Sequence, residues 1–403
     1  MLKTWEFNYT TFGKESRFMA RKRLHIVIAI FFSGFFALSS YGWPVEVAPE
    51  LNFTSAALKQ AFLDQENKNY GSNPLSFLVQ ERFNNLVIKK CPSCTSVVIT
   101  DKYGVKAFRI YVDDDWYFEI TLDPEVIEIK FKPISMDKLE TKTFQDQIDQ
   151  LIFNVASELG LEGARSNHLN FGTKSSGFED NPLLFHNFLV EYWNNIFFVT
   201  GINYSQEDSK WDAPHPEELD QVQRDNLMQI LEKFNPSKDS IYQLSQQIFD
   251  KVYYKSTYWG LDKGEFPEKF HAIGLQSLVR EEEKSWPRAE IRNSLMPRNA
   301  FELYLQFRLF TTMIEFLKKS VHSKLKYDVP DWHYQLYKNS SETPVIAFAN
   351  FLKKLGLNWW DYRFMIAPSW QRFYRIVIAL DREIQNEQDK KEHAIKCETI
   401  LLH

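Results

Sequence analysis

Several signatures are missing from this chain, and each absence removes a class of function. There is no G-x-S-x-G elbow, no H-E-x-x-H pair and no Walker loop, so three common hydrolase and nucleotide-binding motifs are out. No internal repeat and no low-complexity tract occurs. No apolar run reaches the roughly 20 residues that a spanning helix needs; the longest is the 15-residue stretch Leu24–Leu38, interrupted only by His25, Ser33 and Gly34. Basic charge is not in excess either. The whole chain carries −5, residues 1–23 carry +4, and the rest therefore carries −9. A moderately acidic body has no electrostatic footprint for nucleic acid.

Cysteine is scarce, with only Cys91, Cys94 and Cys397. The first two form C-P-S-C. Such a pair has three readings: a short-loop disulfide, a redox pair, or half of a zinc site. Zinc needs two more ligands, and no second C-x-x-C or paired His motif supplies them. A thioredoxin-like site wants the pair at a strand-to-helix junction, whereas strand-like sequence follows it here. A structural disulfide is the plain reading if the chain is exported, and Cys397 is then the odd thiol.

What is present is ordinary for a globular body. Hydrophobic residues make up 44% and charged residues 25%, which excludes long disorder and a multi-span membrane protein. Aromatics reach 16%, enough for a well-filled core or, as the sharper reading, an aromatic-lined groove. At the N-terminus, Arg21-Lys22-Arg23 precedes the Leu24–Leu38 run, and small residues follow at Ser39, Ser40 and Gly42. That layout predicts a secretory signal or an uncleaved anchor within 1–42. The body is then expected outside the cytoplasm, periplasmic or secreted, touching a membrane only through this segment if it stays uncleaved. Met19 sits just before the basic cluster, so translation is expected to start there; N-terminal sequencing that found Met1 retained would end that idea.

Hydrophobic spacing organises the remainder. Helices are expected at 56–68, 74–85, 144–159, 182–198, 217–234, 240–253, 299–320, 343–355 and 370–387. Strands are expected at 96–100, 105–112, 116–122, 126–131, 270–279 and 288–291, with 44–54 extended and 166–172 a short strand or loop. Strands cluster early and then recur singly between helices. This predicts an α+β fold with an antiparallel or mixed sheet and helices on one side, as a body over 43–320 and a helical C-terminal part over 321–403. Asp113–Asp115 is an acidic turn without EF-hand spacing, and reads as solvated.

Four segments hold the residues that suit chemistry: Glu50 in APELNFT, Glu128 in VIEIKF, His168 and Asn170 in SNHLNFGTK, and Arg288, Glu290 and Arg292 in PRAEIRN. On a strand, alternate side chains share a face. Arg288, Glu290 and Arg292 then point one way, as do His168 with Asn170 and Glu128 with Lys130. A carboxylate between two guanidinium groups can hold a cation and an anion together. Taken singly, R-x-E-x-R reads as a surface ion-pair ladder and His168 beside Asn170 as a satisfied structural group; Glu128 is harder to dismiss, with Ile127 and Ile129 on the other face, although such a strand can simply be half-exposed.

Together and in this order, the segments resemble the glutamine synthetase and γ-glutamyl–cysteine ligase group of carboxylate–amine ligases, most closely its amidoligase branch. Arg288-Ala289-Glu290-Ile291-Arg292 before a hydrophobic helix is similar to that group's R-x-E-x-R strand. Phe270–Leu275 resembles the strand before it. The His168 segment, the Glu128 strand and the Glu50 strand resemble the three other metal-ligand segments. The resemblance implies a glutamine synthetase-like catalytic fold. It also implies ATP and Mg as cofactors, and a small-molecule or peptide substrate with a carboxylate. By the same likeness, Glu50, Glu128, His168 and Glu290 would hold metal, Arg288 and Arg292 would clamp phosphate or the substrate carboxylate, and Asn170 and Lys174 would lie against the nucleotide. Asn52 stands where the group has a second acid in the opening strand, and Ser166 and Asn167 stand where it has glycines. ATP is scarce outside a cytoplasm, so an exported, catalytically degenerate binding protein on the same scaffold is the alternative reading.

Overall fold

The computed structural model describes residues 45–64, 74–101, 104–123, 126–164, 166–195, 221–253, 272–280, 285–327 and 350–365. The expected export segment, Cys397, His271 and the helix expected at 370–387 lie outside these residues. Compactness divides the chain into Met1–Trp43 and Pro44–His403, and all described residues belong to the second unit.

That unit is built on one ten-stranded sheet. Its strands are β1 (Glu46–Thr54), β2 (Thr95–Thr100), β3 (Lys106–Tyr111), β4 (Tyr117–Asp123), β5 (Val126–Phe131), β6 (Ile134–Ser135), β7 (Glu162–Gly163), β8 (Ser166–Gly172), β9 (Ile273–Gly274) and β10 (Arg288–Leu295). The main path runs β2-β3-β4-β5-β1-β8-β10-β9, with β6 and β7 on β1. Every pairing is antiparallel. The antiparallel alternative of the expected α+β fold is therefore the one adopted.

Alternation in the sequence assigns the two faces. In β5, Ile127, Ile129 and Phe131 are buried on one side, while Glu128 and Lys130 take the other. Leu51 of β1, Leu169 and Phe171 of β8 and Ile291 of β10 extend the apolar side at 0% exposure. Helices cover it. They are α1 (Ala56–Leu63), α2 (Pro74–Lys90), α3 (Met136–Glu140), α4 (Lys142–Ile148), α5 (Asn154–Glu158), α6 (Pro182–Asn194), α7 (Gln221–Lys233), α8 (Ile241–Lys251), α9 (Gln276–Val279) and α10 (Ala300–Ser320). Phe171 meets Phe307 and Phe310 of α10 at ring-centroid distances of 5.2 and 5.4 Å, and Phe53 meets Phe83 of α2 at 6.5 Å. Each such fully buried ring contributes about 1.5–3 kcal/mol. Local signals start the helices. Asn299 caps α10 by accepting from the Glu302 N–H, and Ser240 and Gln243 form a capping box on α8.

Several expectations change: β10 runs to Leu295 rather than ending at Ile291, helix α3 was not expected, and three further differences have local causes. Of the strand expected over 270–279, the described residues form only Ile273–Gly274; Gln276–Val279 is a helical turn. Ser277 explains the switch, because its hydroxyl donates to Arg288 O and accepts from Arg288 N–H, tying this turn to the start of β10. An apolar run alone does not separate a strand from a buried turn. The helix expected at 144–159 is interrupted by a π-helical turn, Asp149–Phe153. Asp149 there accepts from the Ala300 N–H at 2.7 Å, at the N-terminus of α10. Finally, helix α2 continues to Lys90, five residues beyond the expected end. Cys91 and Cys94 follow it, joined by a disulfide. No helix among the described residues is long and apolar enough to cross a membrane.

Candidate functional site

The polar face of the sheet from β4 across to β9 forms a lattice set by register. One row across the sheet runs Glu119, Lys130, Glu50, His168. The row on one side of it runs Thr121, Glu128, Asn52. The row on the other side runs Ala48, Asn170, Glu290, Gly274. Directly opposed side chains on adjacent strands have Cβ atoms about 4.5–5.5 Å apart, so four segments distant in sequence meet without a loop. Pro49 is tolerated in this central strand because β5 pairs with β1 only from Glu50 onward and β6 only up to Val47. A register shift in β10 between Ile291 and Ser294 lies beside His168. Gly274 has a steric role: a Cβ there would fall 2.7 Å from Glu290 Oε2.

Contacts knit the lattice together. His168 Nδ1 lies 3.2 Å from Glu50 Oε2 and 3.2 Å from Glu290 Oε1. The Asn170 amide donates to Glu50 Oε1 (3.1 Å) and to Ala48 O (2.9 Å), and its carbonyl accepts from Arg288 Nε at 2.9 Å. Arg292 Nη1 donates to Glu290 Oε1 at 2.7 Å. Lys130 Nζ lies 2.7 Å from Glu128 Oε2, and Thr121 Oγ1 donates to that same oxygen at 3.0 Å. Glu128 and Glu290 are each only 6% exposed. Carboxylates this deeply buried need partners, and each has a cation two residues further along its own strand.

Electrostatics separate the three acids. Burial raises the Glu50 carboxyl, but the His168 hydrogen bond and the charges of Lys130, His168 and Arg288 outweigh it and hold the group well below its ordinary value. Burial likewise raises Glu290, and Arg292, His168 and Arg288 pull it below its ordinary value. Glu128 goes the other way: burial raises it, and Glu50 and Asp123 add to that rise against the pull of Lys130. Two acids crowded together are thus separated in proton affinity, one firmly ionised and one reluctant. Lys130 and Arg292 lose something to burial, but the carboxylates beside them hold both more firmly charged than usual.

This donor set suits a divalent cation. One ligand atom each from Glu50, Glu128 and His168 lie within 4.8 Å of one another. Oxygen ligands sit about 2.0–2.6 Å from Mg²⁺ or Ca²⁺, so ligands of one ion are separated by up to roughly twice that. In the tautomer that donates from Nδ1 to these carboxylates, the His168 ring would keep a lone pair on Nε2 for a cation.

Of the sequence-expected residues, the fold brings Glu50, Glu128, His168, Asn170, Arg288, Glu290 and Arg292 to one face. Lys174 stands apart, exposed in the turn after β8. Sequence reasoning gave no role to Lys130, Thr121 or Gly274. Only Lys130 had a signal, since E-I-K in β5 copies the spacing of E-I-R in β10. Asp113–Asp115 is a turn, as expected: Asp113 Oδ1 accepts from the Asp115 and Trp116 N–H groups. A pocket of about 460 Å³ also opens on the helical side, lined by Phe53, Phe153, Leu161, Met296 and Arg298 among others. It has none of this chemistry, and its one charged lining residue is bonded to Glu302. No family model matches this chain, and no curated protein matches it.

Proposed function

We propose that this chain is an ATP- and Mg-dependent carboxylate–amine ligase acting on an amino acid or peptide through an acyl phosphate, on a glutamine synthetase-like scaffold. One observation carries the reading: Glu50, Glu128, His168 and Glu290 meet on one sheet face, flanked by Arg288 and Arg292. Phosphoryl transfer to a carboxylate gathers negative charge at one place, and positioned cations are the natural means of bearing it. Glu50, Glu128 and His168, with Glu290 alongside, would hold Mg²⁺, which when bound supplies charge neutralisation to the phosphates. Arg288 and Arg292, either side of Glu290 on one strand face, present planar donor groups of the kind that grip carboxylate or phosphate in pairs. Asn170 orients the centre by bonding Glu50 and Arg288 at once. Glu50, firmly ionised, is the residue best fitted to keep its charge for a cation.

The test is trapping. Purified protein with ATP, Mg²⁺ and a panel of amino acids should convert hydroxylamine to hydroxamate with matching ADP release. Glu50→Gln should lower the rate at least a hundredfold. A folded protein that yields neither hydroxamate nor ADP across the panel contradicts the reading. One feature favours the second reading, an exported binding protein that has lost the chemistry: Asn52, opposite Glu128 in register, supplies no charge where a second acid would complete the opening strand.

A further inference from the structure

Trp116 shows what a core tryptophan looks like in this fold: it is 0% exposed among other rings, and apolar burial accounts for it. Trp286 is different. It is half-buried and stands two residues before Arg288. Its contacts place it on the polar face of the sheet. Its Nε1 donates to Glu46 Oε2 at 3.4 Å, and Glu46 shares a face of β1 with Ala48 and Glu50. The Arg288 guanidinium carbon lies 5.8 Å from the centre of the Trp286 ring, within the roughly 6 Å of a cation–π contact.

The surroundings are shaped to hold this indole. Gly172 lies opposite Arg288 in register, and a Cβ there would fall 3.1 Å from Trp286 Nε1 and 2.8 Å from Ser175 Oγ. The lack of a side chain at Gly172 therefore makes the room. Ser175 Oγ accepts from the Glu46 N–H at 2.9 Å and donates to Gly172 O at 3.2 Å, which ties down the acid that orients the ring. Arg288 in turn donates from Nε to Asn170, whose amide reaches Glu50. The indole thus adjoins the guanidinium that links it to the acid cluster. A half-buried indole fixed by its N–H offers a flat contact surface at little cost in conformational freedom.

We infer that Trp286 and Arg288 form a stacking subsite that takes a planar aromatic ring attached to the anionic group bound beside them. This rests on the ligase reading above and deepens it. Arg288 grips the phosphate or carboxylate, and Trp286 takes the ring. Two sources share that chemistry: the base of the nucleotide, and an aromatic side chain on the substrate acid. Stacking on an aromatic side chain tolerates many rings, so probes that carry or lack a ring separate the sources.

The experiment is isothermal titration of the full chain in Mg²⁺ with two pairs of probes: a non-hydrolysable ATP analogue against inorganic tripolyphosphate, and phenylalanine against leucine. The ring-bearing member of at least one pair should bind at least about fivefold more tightly. Trp286→Leu should remove that preference by weakening the ring-bearing member alone, and Trp286→Phe should keep most of it. Loss in the first pair assigns the ring to the base, and loss in the second to the substrate. No preference in the wild type, an unchanged preference in Trp286→Leu, or equal weakening of both members overturns the inference and leaves the ligase reading standing. A folded wild-type protein that binds none of the four probes overturns both. If Trp286→Leu does not fold, Gly172→Ala decides: it crowds the indole and should lower the same preference, and a preference unchanged there overturns the inference.

Discussion

Gly274→Ala is the sharpest perturbation that the lattice offers. Gly274 lies directly opposite Glu290, and an added Cβ would sit 2.7 Å from Glu290 Oε2, 3.0 Å from Gln276 Oε1 and 3.3 Å from Glu290 Cβ. A carboxylate at the end of a flexible side chain would normally swing aside. This one is held by Arg292 at 2.7 Å and His168 at 3.2 Å. Restoring an ordinary contact of 3.4 Å moves the carboxylate by about 0.7 Å, enough to weaken one charged hydrogen bond, which is worth about 1.5–3 kcal/mol. Alanine also restricts the unfolded chain, which returns about 0.4–1 kcal/mol. The expected net loss is about 1–2 kcal/mol by urea denaturation in EDTA. It should come with weaker Mn²⁺ binding. In a Glu290→Ala background the carboxylate is gone, so the same Gly274→Ala change should cost under about 0.5 kcal/mol. Equal losses in both backgrounds would refute the claim that Gly274 acts through Glu290. A useful control is Gly163→Ala. Its Cβ would meet Met296 Cγ at 2.6 Å, so it should lower stability and leave Mn²⁺ affinity unchanged.

Two further outcomes follow from the same structure. Trp116 is fully buried among Phe118, Phe131 and Phe144, with its ring 4.7 Å from that of Phe144; Trp116→Ala should cost about 3–5 kcal/mol in chemical denaturation, and Trp116→Phe clearly less. In acid, Glu50 and Glu290 have folded pKa values below their unfolded ones. Their contribution is complete above the unfolded carboxylate range, near about 4.3, and is lost as pH falls through the folded values. Metal-free Glu50→Gln should therefore show a flatter loss of Tm below that range than the wild type, and an unchanged slope there would count against the site's electrostatics.

Much of this was legible in the chain. Glu128 alternating with Ile127 and Ile129, and R-x-E-x-R in β10, fix their faces because a strand has a period of two and one side must be buried. That is why seven of the eight expected site residues share one face. Lys174 does not, because it lies beyond the end of β8, where alternation no longer constrains it. Strand neighbours were harder to read. Nothing local says that β1 lies between β5 and β8, since Glu50 pairs with Lys130 and with His168, both far along the chain. Lys130 was half visible: E-I-K places it beside Glu128, but its position opposite Glu50 comes only from strand pairing. The π-turn at Asp149–Phe153 was likewise out of reach, since its tie to Ala300 joins residues far apart in the chain.

On the proposed reading, this face binds a divalent cation and a nucleotide together. Isothermal titration of the protein with a non-hydrolysable ATP analogue, with and without Mg²⁺, tests it most directly. Binding should require Mg²⁺ and disappear in Glu290→Ala while that variant remains folded. Absence of binding by well-folded wild-type protein, or binding indifferent to both Mg²⁺ and Glu290, would contradict it.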